Sequence, residues 1–336
     1  MKRILLTSLC IMHLASLMAQ NSPYIHRVYE YMPAPGQFVN ELPEYETGDD
    51  AAAMCRKAEE AIADNNRGMI SLGGWGGYVV FGFDHPVVNA GGTCDLVVEG
   101  NSFYSDKEAG PSGGGSSEPG IVMVSVDVNG NGKPDDMWYE LAGSEYNNPQ
   151  TRHNYKVVYA RTEDWADVPW RDNEQHRGVI AVNPYHKHSF YPLWAGETLS
   201  FTGARLPDNY RYLNEQYIFY PYAYGYADNH PNDADEAQLD IDWAVNNDGS
   251  PVHLPAIDFV KVYTALHQQC GSVGETSTEI IGARDLHPEA VAAGVEGYRT
   301  DNNTGKVAKL MHRGQLVIIR DGKEYNPLGI KINNIY

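Results

Sequence analysis

The chain reads as all-β dominated: a jelly-roll-like β-sandwich with one N-terminal helix and a small C-terminal β module. Three observations predict this. Short apolar, β-branched and aromatic runs recur from residue 69 to residue 266, broken by Gly, Asn, Asp and Pro turn signals. The composition, with 23 Tyr and 33 Gly in a chain that is 42% hydrophobic, favours pleated surfaces and tight turns. Only one stretch places its apolar residues at sustained helical spacing.

That stretch is AAAMCRKAEEAIADNN, residues 51–66, preceded by Asp49 and Asp50 as candidate caps and followed by Gly68. Its length predicts about four turns, with one face packed on the β-core. Residues 20–48, with Pro33, Pro35 and Pro43, show no period and read as irregular. The expected strands are MISLGG, YVVFGF, CDLVVEG, IVMVSV, MWYEL, NYKVVYAR, GVIAV, ETLSFTGARL and AIDFVKVYTAL. Residues 105–119 form a Gly-, Ser- and Pro-rich loop.

The ends differ in character. Residues 1–19 read as a signal peptide: Lys2 and Arg3, an apolar run, then a small residue, Ala19, before Gln20. Residues 20–298 are expected to form the β-sandwich, and 299–336 a polar linker and a β module. No later stretch reaches the ~20 apolar residues of a transmembrane helix. Export to the cell surface or outside the cell is the expected localisation, with the periplasm as the alternative.

Without Lys2 and Arg3 the formal charge is 23 − 44 = −21. Such acidity argues against nucleic acid, whose phosphates need clustered Lys and Arg. Of the 4 Cys, Cys10 lies in the signal segment, leaving Cys55, Cys94 and Cys270. Buried thiols are the preferred reading, and a Cys55–Cys94 disulfide is the alternative.

The motif with the most specific chemistry is D-V-N-G-N-G-K-P-D-D, Asp127–Asp136, between two expected strands. Asp127, Asn129, Asn131, the Lys133 carbonyl and Asp135, with Asp136 beside them, place oxygens at the spacing a short loop needs to wrap a hard cation. The expected metal is a structural Ca2+. Trp138 stands where an EF-hand has its Glu, so the loop is not an EF-hand. Asn129-Gly130 and Asn131-Gly132 are also ordinary hairpin dipeptides.

A second candidate site spans residues 221–259. Tyr222, Tyr224 and Tyr226 alternate before Asp228 and Asn229, which on a strand would set three rings on one face. Such a face could stack on a sugar, or pack inward with its hydroxyls bonded. Trp75, within GGWGG, is either a further binding ring approached closely past its glycines or a buried indole. His186 and His188 could share a strand face, but no carboxylate cluster lies near in sequence, so solvated loop histidines are preferred. No nucleophile elbow, HExxH or phosphate loop is present.

The segments SLGGWGGYVVFGFDHPVVN, SSEPGIVMVSVDVNGNGKPDDMWYELAGSEY, YPYAYGYADN and PAIDFVKVYTALHQQCGSVGETSTEI resemble a family of exported Bacteroidetes cell-surface proteins, often found beside PKD-type domains. A looser similarity is to surface domains with a galactose-binding-like jelly roll, which implies loops that bind calcium and sometimes carbohydrate. The tail KVAKLMHRGQLVIIRDGKEYNPLGIKI resembles C-terminal modules used as sorting signals, departing from them at Leu328 and Ile330.

The expected function is therefore non-catalytic, calcium-stabilised binding of a glycan or another extracellular small ligand, in a surface complex or outer-membrane uptake. Capture of a cofactor such as a corrinoid and glycoside hydrolysis are the alternatives.

Overall fold

The computed structural model describes residues 21–290 and, in the tail, the strands Val307–His312, Gln315–Arg320 and Lys323–Tyr325. The expected signal peptide of 1–19, the expected linker from 299 and residues 326–336 lie outside the described residues. The three tail strands form an antiparallel meander.

The protein is an all-β sandwich with a single α-helix among the described residues. Its central sheet runs in the order Arg27–Met32, Tyr78–Gly82, Phe259–Thr264, Gly120–Ser125, Trp138–Leu141, Ala244–Val245, with Tyr226–Ala227 also paired to Gly120–Ser125. Every neighbour is antiparallel.

Register explains the packing. Val79, Val262 and Val122 stand opposite one another across three strands. With Phe81, Val124 and Val260 they face a core shared with the helix and with the small sheet containing Leu96–Glu99. The alternate positions Tyr78, Ile121 and Tyr263 point to the other face, as a period of two demands. There the strands Arg152–Ala160 and Thr198–Arg205 of a second, four-stranded sheet pack on it, with Phe201 edge-on to Tyr78.

The helix runs Ala51–Ile62, capped by Asp50, whose Oδ1 accepts the Ala53 N–H at 2.8 Å. Met54, Ala58 and Ile62, four residues apart, form its buried face. It ends before the expected Ala63–Asn66 turn. Asp64 and Asn65 take left-handed φ of 51° and 60°, conformations these two residues tolerate, and the Asp64 N–H bonds to Ile25 instead of to the helix.

Residues 20–48 are not wholly irregular: Arg27–Met32 is a strand of the central sheet. A register shift between Val28 and Glu30 breaks the alternation that would have revealed it. All three cysteines are free thiols, so the Cys55–Cys94 disulfide is not formed.

Candidate functional site

All six predicted metal-loop residues meet in one closed turn. Asp127 Oδ1 and Oδ2 accept the N–H groups of Asn131 and Gly132 at 3.1 and 2.8 Å. Gly130 and Gly132 adopt φ of 70°, which lets the chain curl around that carboxylate. Lys133 donates its N–H to Asn131 Oδ1. The Asn129 amide nitrogen lies 3.2 Å from both Asp135 and Asp136. A cation drawing on those carboxylates would replace it, since turning the amide over presents Oδ1 in its place.

Hydrogen bonds, first from Asn131 and then from Asn129, hold the Asp135 pKa low and its carboxylate charged. Asp258, which sequence spacing did not flag, joins the loop by accepting the Asp127 N–H at 2.7 Å. Burial, and then the charges of Asp127 and Asp136, raise its pKa. The donor set is all oxygen, which fits a hard divalent cation such as Ca2+.

The predicted ligand-binding residues separate. Trp75 is fully buried, with its indole N–H donating to Ala204 O at 3.3 Å and its ring edge-on to Tyr155. This corrects its reading as a ligand-stacking ring: the close approach its glycines permit is made by the protein's own chain. A Cβ on Gly76 would lie 2.4 Å from Phe201, and one on Gly77 1.9 Å from Leu72 O.

Nor do the three tyrosines share a face. Only Tyr226 is in a strand. Gly225, at φ 93° with Gly143 against it, turns the chain and breaks the alternation. Tyr226 is buried and accepts the Glu145 N–H. Tyr222 packs edge-on to Tyr226 and donates to Pro207 O. Tyr224 alone stands out, 42% exposed, its ring 5.0 Å from Trp243 and tilted by 52°. Beside Trp243 in the chain, Asp242 Oδ1 is 2.8 Å from Asn89 Nδ2 and 3.1 Å from His253 Nδ1.

Asp228 and Asn229 are buried. Asn229 spends its amide on Tyr222 and Ser117, which makes it a strut of the fold. Asp228, at φ 50°, belongs to a cluster with Glu118 and Glu279 whose carboxylate oxygens lie within 4.8 Å of one another. Asp228 Oδ1 accepts from Asn101 and Ser102, and Oδ2 from the Glu279 N–H. Gly100 makes room, since a Cβ there would sit 2.2 Å from Asp228 Oδ1. Glu279 accepts from the Ser71 and Ser277 hydroxyls and is hydrogen-bonded to Glu118.

Burial raises the pKa of all three. Backbone N–H bonds oppose the rise at Asp228, and hydroxyl bonds oppose it at Glu279. At Glu118, burial and then the charges of Glu279 and Asp228 raise the pKa. Nearby, Glu275 accepts the Gln37 N–H through Oε1, while Oε2 is buried without a partner. Burial pushes Glu275 up to about 8. Glu118, in the Gly-, Ser- and Pro-rich loop of 105–119, and Glu279 carried no local signal, because the fold alone brings them to Asp228.

These shifts have a sign. Glu140, raised to about 7 by burial, and Glu275 hold protons when folded that the unfolded chain, near 4.5, has released. Their stabilisation is complete below about pH 4.5 and is lost as pH rises through their folded values. His267, which burial lowers to about 3, works the other way, but only below its ordinary 6.5. Between pH 6.5 and 8 the carboxyls act without that opposition. The melting temperature in chelator should therefore fall across this window. A flat or rising profile, read by calorimetry, would contradict these proton assignments.

No protein-family model matches the chain, and no curated protein matches it.

Proposed function

We propose that this chain is a non-catalytic, calcium-stabilised binding protein of the cell exterior whose ligand is a glycan. One observation carries the reading: of the predicted rings, Tyr224 stands exposed on Trp243, with the polar group Asp242, Asn89 and His253 adjoining. A sugar needs an aromatic face for its C–H surface and oriented polar atoms for its hydroxyls. The Asp127–Asp136 loop, lying between two strands of the central sheet, supports calcium in a structural role.

The test is an oligosaccharide panel titrated against tryptophan fluorescence in calcium and in chelator. Binding should weaken at least tenfold in Tyr224→Ala, equivalent to about 1.4 kcal/mol. Calcium at roughly 100 times its Kd should add about 2.7 kcal/mol to stability. Sustained release of reducing sugar would overturn the non-catalytic part, and a co-purifying coloured corrinoid would overturn the glycan. An unchanged melting temperature in chelator, with no metal by elemental analysis, would remove calcium.

A further inference from the structure

The histidines His186 and His188 have a carboxylate partner that their local sequence does not show. Glu41 Oε1 lies 3.1 Å from His188 Nδ1 and Glu41 Oε2 lies 3.6 Å from His186 Nδ1. One ligand atom from each of the three falls within 4.8 Å of the others. Ligands about 2.0–2.1 Å from a tetrahedral zinc stand about 3.3–3.4 Å apart, a value that the two carboxylate–imidazole distances, measured to different oxygens of Glu41, bracket.

The two segments are clipped together by buried polar groups. Asn40, beside Glu41 and at φ 75°, donates to Ser189 O and Tyr191 O at 2.7 and 3.0 Å and accepts from Leu193 N at 3.0 Å. Asn183 donates to Gln37 Oε1 at 2.7 Å, and its own Oδ1 accepts the His186 N–H. The rings are braced as well: Phe38 lies edge-on to His186 at 4.8 Å, and Phe190 packs on His188 at 5.7 Å.

His188 Nε2 is buried without a partner, and Nδ1 is the nitrogen that faces Glu41. Lys187, between the two histidines, places its ammonium 5.9 Å from the Trp165 ring. Among the described residues, the ion-pair partners of Glu41 are these two histidines. The side chains of Glu41, His186 and His188 are 49, 24 and 21% exposed, leaving solvent access for one further ligand.

We propose that Glu41, His186 and His188 form a three-ligand site for Zn2+ or a similar borderline divalent cation, with water in the fourth position. Two imidazoles and one carboxylate suit that class, whereas Ca2+ prefers an all-oxygen shell. The site is separate from the Asp127–Asp136 loop and does not depend on the glycan reading.

The test is calorimetric titration of the full chain with Zn2+ in saturating Ca2+, alongside the visible spectrum of the Co2+ form. One equivalent of Zn2+ should bind and should displace Co2+ from a low-symmetry, strongly absorbing site. Glu41→Gln and His188→Gln should each weaken Zn2+ binding more than tenfold, with the metal-free melting temperature kept near that of the parent. His176→Ala, in the exposed Asp172–Glu174–His176 cluster, should leave binding unchanged. The proposal is overturned if the parent binds no stoichiometric Zn2+, if a His186→Ala/His188→Ala chain binds it as tightly, or if His176→Ala abolishes it.

Discussion

Replacing Asp228 with alanine is expected to destabilise the protein by roughly 2–5 kcal/mol. Its carboxylate is the acceptor for the N–H groups of Asn101, Ser102 and Glu279. Truncation strands the buried Glu279 N–H, at a cost of about 1–3 kcal/mol, and the part-buried N–H groups of Asn101 and Ser102, at less each. Alanine also fits poorly at φ 50°, where Asp is tolerated. Against this, one of three crowded carboxylates is removed, which relieves repulsion on Glu118 and Glu279. The three stranded donors outweigh that relief.

Asp228→Asn should cost less than Asp228→Ala, because Oδ1 still serves Asn101 and Ser102. Only the Glu279 N–H would then meet an amide in place of an acceptor. Urea denaturation of both variants checks the order. Equal losses would mean that the three N–H bonds are not what holds this corner.

Trp75→Ala should cost about 3–5 kcal/mol, the range for a large aromatic removed from a core. The loss combines the cavity, the edge-on contact with Tyr155 and the bond to Ala204 O. For a domain of this size, that is a fall in melting temperature of roughly 10 °C. Because the ring has no exposed face, ligand affinity measured on the folded fraction should be unchanged. A stable Trp75→Ala protein that had lost ligand binding would contradict the burial and restore the binding reading. Differential scanning calorimetry with a parallel titration separates the two.

These two residues show where the sequence is legible and where it is not. The sandwich was readable because Val79, Val122, Val124, Val260 and Val262 follow a period of two, and strand partners share it. The helix start was readable from Asp50, but its end was set by a tertiary bond from Asp64 to Ile25. The Asp127–Asp136 loop is local, so hydrogen bonds between near neighbours tie its residues together. Asp258 joins it only through strand pairing.

At Trp75 and Tyr222–Tyr226, sequence offered ring faces without saying which way they point. Glycines at 76 and 225 decide it, through close contacts with Phe201 and Gly143. Glu41 beside His188, and Glu279 beside Asp228, are pairings of distant segments that no local pattern records.

The central claim, that Tyr224 and Trp243 present the ligand-binding surface of a calcium-stabilised, non-catalytic protein, rests most directly on one comparison. The oligosaccharide that best quenches tryptophan fluorescence is titrated by calorimetry, in calcium, into the parent and Tyr224→Ala. The predicted result is a loss of at least tenfold in affinity with the melting temperature nearly unchanged, because Tyr224 is exposed. Equal affinities in the two proteins would contradict it.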